Sequence, residues 1–169
     1  MTKAAPHARP IAMLFQDNNL FAHLSVAQNV GLGIAPRLKM DAATTARVRD
    51  VLEQVGLGGF DARMPAALSG GQQSRAALAR VLVSERGLVL LDEPFSALGP
   101  GLRDEMLDLA VRALADAGRT MMMVTHDPND ALRVADRVVF VEGGVAQAPV
   151  ATKALFADPP VELAAYLGR

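Results

Sequence analysis

Four continuous apolar runs of strand length dominate the sequence: "IAMLF" at 11–15, "LVLL" at 88–91, "TMMMV" at 120–124 and "RVVFV" at 137–141. Runs without polar alternation are what strands buried on both faces require. Helical patterns fill the stretches between them, and strands alternating with helices predict an α/β fold on a parallel sheet. The helix ends are readable from local chemistry. Asp41 caps a helix over "AATTARVRDVLEQV" that stops at Gly56, and Gly118 closes "LRDEMLDLAVRALADA". Asp127 before Pro128 opens another, because Pro at the first helical position gives up no needed hydrogen bond. "VEGGVAQ" reads as a tight Gly143-Gly144 hairpin turn, and the segment from "ATKALFADPP" onward as one or two short helices.

The 169 residues predict one domain, 1–169. Hydrophobic residues make up 51% and the mean hydropathy is +0.22, a composition that leaves apolar surface expecting a partner. No apolar run approaches the roughly 20 residues of a membrane span. The first apolar stretch is too short for a signal peptide, which predicts a cytoplasmic location. Without cysteine there is no disulfide framework and no thiolate zinc site. A net charge of −1 with interspersed signs gives no footprint for nucleic acid. His7 and His23 lack a metal-ligand spacing, and Met121–Met123 read as strand core rather than a soft-metal site.

Ligands of open parallel sheets bind at the carboxyl ends of the strands. There "IAMLF" runs into Gln16, "LVLL" into Asp92-Glu93 and "TMMMV" into Thr125-His126. A carboxylate straight after an apolar strand, Asp92, suits Mg²⁺, which takes one or two carboxylates plus water and phosphate oxygens. Its neighbour Glu93 can orient or deprotonate a water for attack on a phosphoryl group. The competing reading of "LLDEP" is an acidic turn. In "LSGGQQSRAALARVL" (68–82), Ser69, Gly70, Gly71 and Gln72 stand at the head of a helix, where unpaired N–H groups and the positive dipole end suit phosphate. Two glycines let a backbone approach an anion closely. An ordinary Ser cap would explain Ser69 alone, but not two glycines.

The ordered set "LSGGQ", "LLDEP", "SALGP" (96–100) and "VTHD" (124–127) resembles the signatures of ABC-type ATPases. The resemblance implies that Ser69, Gly70, Gly71 and Gln72 form a nucleotide-binding signature loop and that 17–86 is a helical/signature subdomain. It makes Asp92 a Mg²⁺ ligand on a Walker B strand, Glu93 the catalytic base and His126 a switch histidine. Ser96, Ala97, Leu98 and Gly99 become the D-loop, and Gln16 a Q-loop glutamine that reaches Mg²⁺ and the attacking water. ATP and Mg²⁺ are the implied cofactors. Members of this family pair head to tail, so the signature loop clamps the γ-phosphate of a nucleotide seated on a second ATPase subunit. The wording "MLFQDNNLFAHL" (13–24) is similar to ATP-binding subunits of bacterial thiamine importers. That likeness implies a membrane-spanning permease subunit, indirect dealings with a periplasmic solute-binding protein, and a peripheral position on the cytoplasmic face of the inner membrane. Leu20, Phe21, His23 and Leu24 then form either the groove for the permease's coupling helix or the core of a small helical subdomain.

Two features depart from the family pattern. No Gly-x-x-x-x-Gly-Lys-Ser/Thr loop occurs, and the residues before Gln16 hold no glycine. The expectation is therefore an incomplete P-loop NTPase of the ABC type, truncated at its amino end. It would be either a piece of an importer ATPase or an inactive module that donates its signature loop to a full-length partner. Gly99 stands where the family carries Asp, removing a carboxylate while still leading into the Pro100 helix. ATPases of chromosome maintenance insert a coiled coil or zinc module between Q-loop and signature; residues 17–67 are short, free of cysteine and without heptads.

Overall fold

The computed structural model describes residue 5 and residues 8–168, which fall into two compact units, Met1–Val124 and Thr125–Arg169. His7 lies outside the described residues. In the first unit, β1 (Ile11–Leu14), β2 (Leu88–Asp92) and β3 (Thr120–Val124) form a parallel sheet in the order β1-β2-β3. Leu14 pairs with Leu91, and Asp92 with Val124. The helices of this unit are α1 (Val26–Gly31), α2 (Ala42–Gln54), α3 (Gly70–Val83) and α4 (Pro100–Asp116).

The local start and stop signals act as expected. Asp41 accepts the Thr44 N–H at 2.8 Å to cap α2, and Gly56 and Gly118 take left-handed φ of 73° and 63° just past α2 and α4. Ser25 and Gln28 form a reciprocal capping box on α1. The core lies between α3, its neighbouring helices and one sheet face, where Leu14, Val89 and Leu91 are buried with Leu78, Met106, Leu107 and Leu114.

Helix α3 is buried all round through its middle, since Ala76, Ala77, Leu78 and Ala79 are consecutive, span a full turn and are each 0% exposed. Its last carbonyls are capped from two directions. Arg47 of α2 donates to Val83 O at 3.0 Å, and Arg119 to Leu82 O at 2.8 Å.

Two expectations need correction. The strands were expected to be buried on both faces; the face carrying Met13, Met122 and Val124 is exposed, Val124 at 58%. An apolar run marks a face made to be covered without naming its cover. The run at 137–141 was expected as a strand of the parallel sheet. Instead it splits into β4 (Arg137–Val138) and β5 (Val141–Glu142) in the second unit, and these pair antiparallel with β7 (Val150–Ala151) and β6 (Val145–Ala146). Partners so close in sequence close with little loop entropy, and the Gly143-Gly144 turn, φ 53° and 78°, supplies the hairpin geometry. This unit also holds α5 (Pro128–Val134), α6 (Thr152–Ala157) and α7 (Val161–Tyr166), the last two in the tail read as short helices.

Asn29, 0% exposed, pins the loop before α1. Its side chain accepts the Phe21 N–H at 2.7 Å and donates to the carbonyls of Phe21, Leu24 and Ser25 at 2.9 to 3.1 Å. Asn29→Ala takes away the acceptor of the Phe21 N–H and the side-chain donor to Leu24 O, while Phe21 O and Ser25 O keep backbone donors, and is expected to lower unfolding free energy by about 1–3 kcal/mol. Urea denaturation measures it, and a loss near zero would show that the loop satisfies its backbone without Asn29.

Candidate functional site

Gln16, Asp92 and Glu93 come together at the carboxyl end of the sheet. The register sets Leu14 beside Leu91, so Gln16 and Glu93 each follow by two residues on neighbouring strands. Gln16 is exposed at the corner of a turn closed by the Asn18 N–H donating to Phe15 O at 3.1 Å. Asp92 is the last residue of β2 rather than the first of the loop, which fixes its carboxylate on the strand. Directly after it the backbone is strained: Glu93 has φ 42° and buried Phe95 φ 65°, the left-handed region that non-glycine residues avoid. The Glu93 N–H donates to Val124 O at 3.0 Å, and this bond holds the strained turn against β3. Strain of this kind persists only where surrounding structure fixes it, and it gathers at functional turns.

Ser69 to Gln72 open α3. Ser69 Oγ accepts the Gln72 N–H at 3.3 Å and Gln72 Oε1 accepts the Ser69 N–H at 3.0 Å, a reciprocal capping box. Thus the capping role of Ser69 is real. It leaves the hydroxyl proton of Ser69 and the amides of Gly70 and Gly71, the first two of the helix, which have no intrahelical acceptor.

The two glycines separate physically. A Cβ on buried Gly71 would meet Leu102 Cδ2 of α4 at 2.6 Å, so close packing of α3 on α4 explains this glycine. Gly70 is exposed, and the nearest atom to a Cβ there is Leu98 Cδ2 at 3.9 Å. Nothing in the fold demands Gly70, so the freedom it leaves is open to a ligand that approaches the backbone. The same contact lays Leu98, within Ser96 to Gly99, against the head of α3. Residues 96–99 are thereby brought beside the Ser69–Gln72 helix head. Ala97 is exposed, Ser96 Oγ is buried without a hydrogen-bond partner, and Gly99 precedes Pro100 with no side-chain cap.

His126 belongs to the second unit, where its neighbours hold the loop around it. Thr125 Oγ1 donates to buried Asp130 at 2.6 Å and accepts the Asp127 N–H at 3.0 Å, while Tyr166 OH donates to His126 O at 2.8 Å. The role of Asp130 and Tyr166 was not legible in the sequence; nor was that of Arg80 and Ser74 of α3, which bond the turn after Gln16. Tyr166 lies forty residues from His126, and Ser74 and Arg80 lie more than fifty from the turn they bond, beyond any spacing rule, while Asp130 reads as an ordinary acidic residue in the first turn of α5. The site has the chemistry for phosphate and a hard cation: amides and a hydroxyl at a helix head, and a strand-end carboxylate followed by a second one. Among the described residues no cluster of three or more His, Cys, Asp or Glu stands ready to hold a metal ion.

Comparison with known proteins gives concordant results. The family described as ABC transporter matches residues 2–96. The thiamine import ATP-binding protein ThiQ of Ruegeria sp. (strain TM1040) is 54% identical over 168 residues, covering 99% of this chain and 73% of that protein. Its namesake from Cereibacter sphaeroides is 55% identical over 163 residues, covering 96% and 71%. Among solved structures, cbiO1 from Clostridium perfringens, part of the ABC transporter complex cbiONQ, superposes with a TM-score of 0.78 at 32% identity and covers 94% of this chain. The chain spans 63% of that structure's length.

The contrast between the two glycines is testable. Gly70→Ala is expected to leave thermal stability within about 0.5 kcal/mol of wild type, whereas Gly71→Ala is expected to cost about 1 kcal/mol, because Leu102 must leave its place against α3. Equal losses in thermal denaturation would remove the distinction.

Proposed function

The chain belongs to the ABC transporter ATPase family, and on that premise we propose that it carries the signature half of a composite ATP site in a thiamine importer. Gly70 supports this reading most directly: an exposed glycine, unneeded for packing, at the head of a 14-residue helix. The thiamine assignment rests on the names of the ThiQ relatives and on the wording of residues 13–24.

In this reading the Ser69 hydroxyl and the Gly70 and Gly71 amides donate to the γ-phosphate of ATP bound on a second ATPase subunit. Asp92 and Gln16 would hold Mg²⁺, and Glu93 would orient and deprotonate the attacking water; His126 would carry the switch-histidine role that the family resemblance implies. Bound Mg²⁺ offsets charge developing on the phosphate oxygens. Residues 96–99 border the partner's site, with Gly99 contributing backbone only. The exposed Phe21, edge-on to His23 at 5.9 Å between ring centroids, offers an aromatic surface to a membrane-spanning permease subunit. No helix among the described residues is long and apolar enough to cross a membrane; in this reading the chain sits peripherally on the cytoplasmic face, held by the permease. A periplasmic solute-binding protein would act on the permease and not on this chain.

A second reading is an inactive module lending its signature loop to a full-length partner, which the exposed Gly70 at the helix head fits equally well. One reconstitution separates the two. With the permease in vesicles, the importer reading expects Mg²⁺-dependent phosphate release and thiamine accumulation, both reduced about 100-fold or more by Glu93→Gln. Release that is indifferent to Glu93→Gln would contradict it; release only when a full-length ABC subunit is added would favour the module.

A further inference from the structure

Arg80 lies on α3, one helix length from the signature segment, and reaches back to the turn that follows Gln16. Its Nη1 donates to Asn19 O at 2.7 Å and its Nη2 to Asn18 O at 2.8 Å. Asn18 Nδ2 donates in turn to Ser74 Oγ of α3 at 3.2 Å, and Ser74 is 2% exposed. Three hydrogen bonds, two of them charge-assisted, therefore join one turn to one helix.

The turn is shaped for this cation. Asn18 and Asn19 have φ of 57° and 46°, two successive left-handed residues, a conformation that asparagine tolerates better than most. It sends two consecutive carbonyls to one guanidinium, whose rigid fork is made to take two acceptors. Burial lowers the Arg80 pKa from its ordinary value, and an arginine stays charged even so. Among the described residues no carboxylate pairs with Arg80. Its half-buried charge is satisfied by the carbonyls of the turn, so the turn and the cation support each other.

We propose that Arg80, with Ser74 and Asn18, is a positioning latch that fastens the Gln16 turn to the signature helix, so that Gln16 and Ser69–Gln72 shift as one body. Gln16 at one end of the latch would face the cation and the water of one nucleotide. The head of α3 would face the phosphate of the other. A displacement of α3 on closing over nucleotide would then move Gln16 by rigid connection, which ties the two composite sites to each other. The proposal rests on the reading that these segments face nucleotide, but its test does not.

Hydrogen exchange of the full chain without nucleotide, followed by mass spectrometry or NMR, compares wild type with Arg80→Lys. Lysine keeps the stem and the charge, so the helix packs as before, yet a single ammonium lacks the fork. Amides of 16–21, including those of Asn18 and Asn19, are expected to exchange about tenfold faster or more, while the amides of Leu78 and Ala79 in α3 keep wild-type rates. Asn18→Gly retains access to the left-handed turn, loses the bond to Ser74 and is expected to raise exchange in the same segment. Unchanged exchange at 16–21 in Arg80→Lys overturns the latch. Equal acceleration along α3 also overturns it, because Arg80 would then serve the packing of the helix. A latched protein that fails to pair with a second ATPase subunit in the presence of Mg²⁺ and ATP would instead count against the composite-site reading alone.

Discussion

The burial of α3 on every side is the constraint from which the first unit follows. A helix whose middle turn is Ala-Ala-Leu-Ala, with no exposed residue, needs neighbours all round it, and its small side chains let them approach closely. α1, α2, α4 and the strand β1 all pack on it. Because both ends are then fixed, one by Arg47 and Arg119 on its last carbonyls and the other by Gly71 against Leu102, the head of the helix is held at a set place and angle. The proposed contact of this loop with a phosphate on another chain would need such a mount. The entropic cost of ordering the donors is met in folding and is not charged again at binding.

The same economy is visible at the strand ends. Asp92 is held by the register of β2, and the strained pair Glu93 and Phe95 by a backbone bond to β3 and by burial of the Phe95 ring. The chemistry-bearing groups thus stand on rigid elements or one residue beyond them, where catalytic geometry is best kept.

Much of this was legible in the sequence because its cause is local. Asp41 and Gly56 bound α2, Asp127-Pro128 opens α5 and Gly143-Gly144 turns a hairpin through interactions within a few residues. What escaped was set at long range. The apolar run at 137–141 looks like the other three, and only the nearness of β6 and β7 decides that it pairs antiparallel. Met13, Met122 and Val124 read as core although their face is exposed, because hydrophobicity records what a face needs and not what covers it. Gly70 and Gly71 look equivalent in "LSGGQ", yet Leu102, on the next long helix, divides their roles. The partners of Arg80 lie more than sixty residues away, beyond any periodicity.

The central claim is that Ser69 to Gln72 serve a nucleotide seated on another chain, and sedimentation velocity tests it most directly. This chain would be mixed with a full-length thiamine import ATP-binding protein of the Ruegeria kind, with and without Mg²⁺ and ATP. The account predicts a heterodimer that forms with nucleotide and is lost when Ser69→Arg blocks the helix head. Association indifferent to ATP, or unaffected by Ser69→Arg, would contradict it.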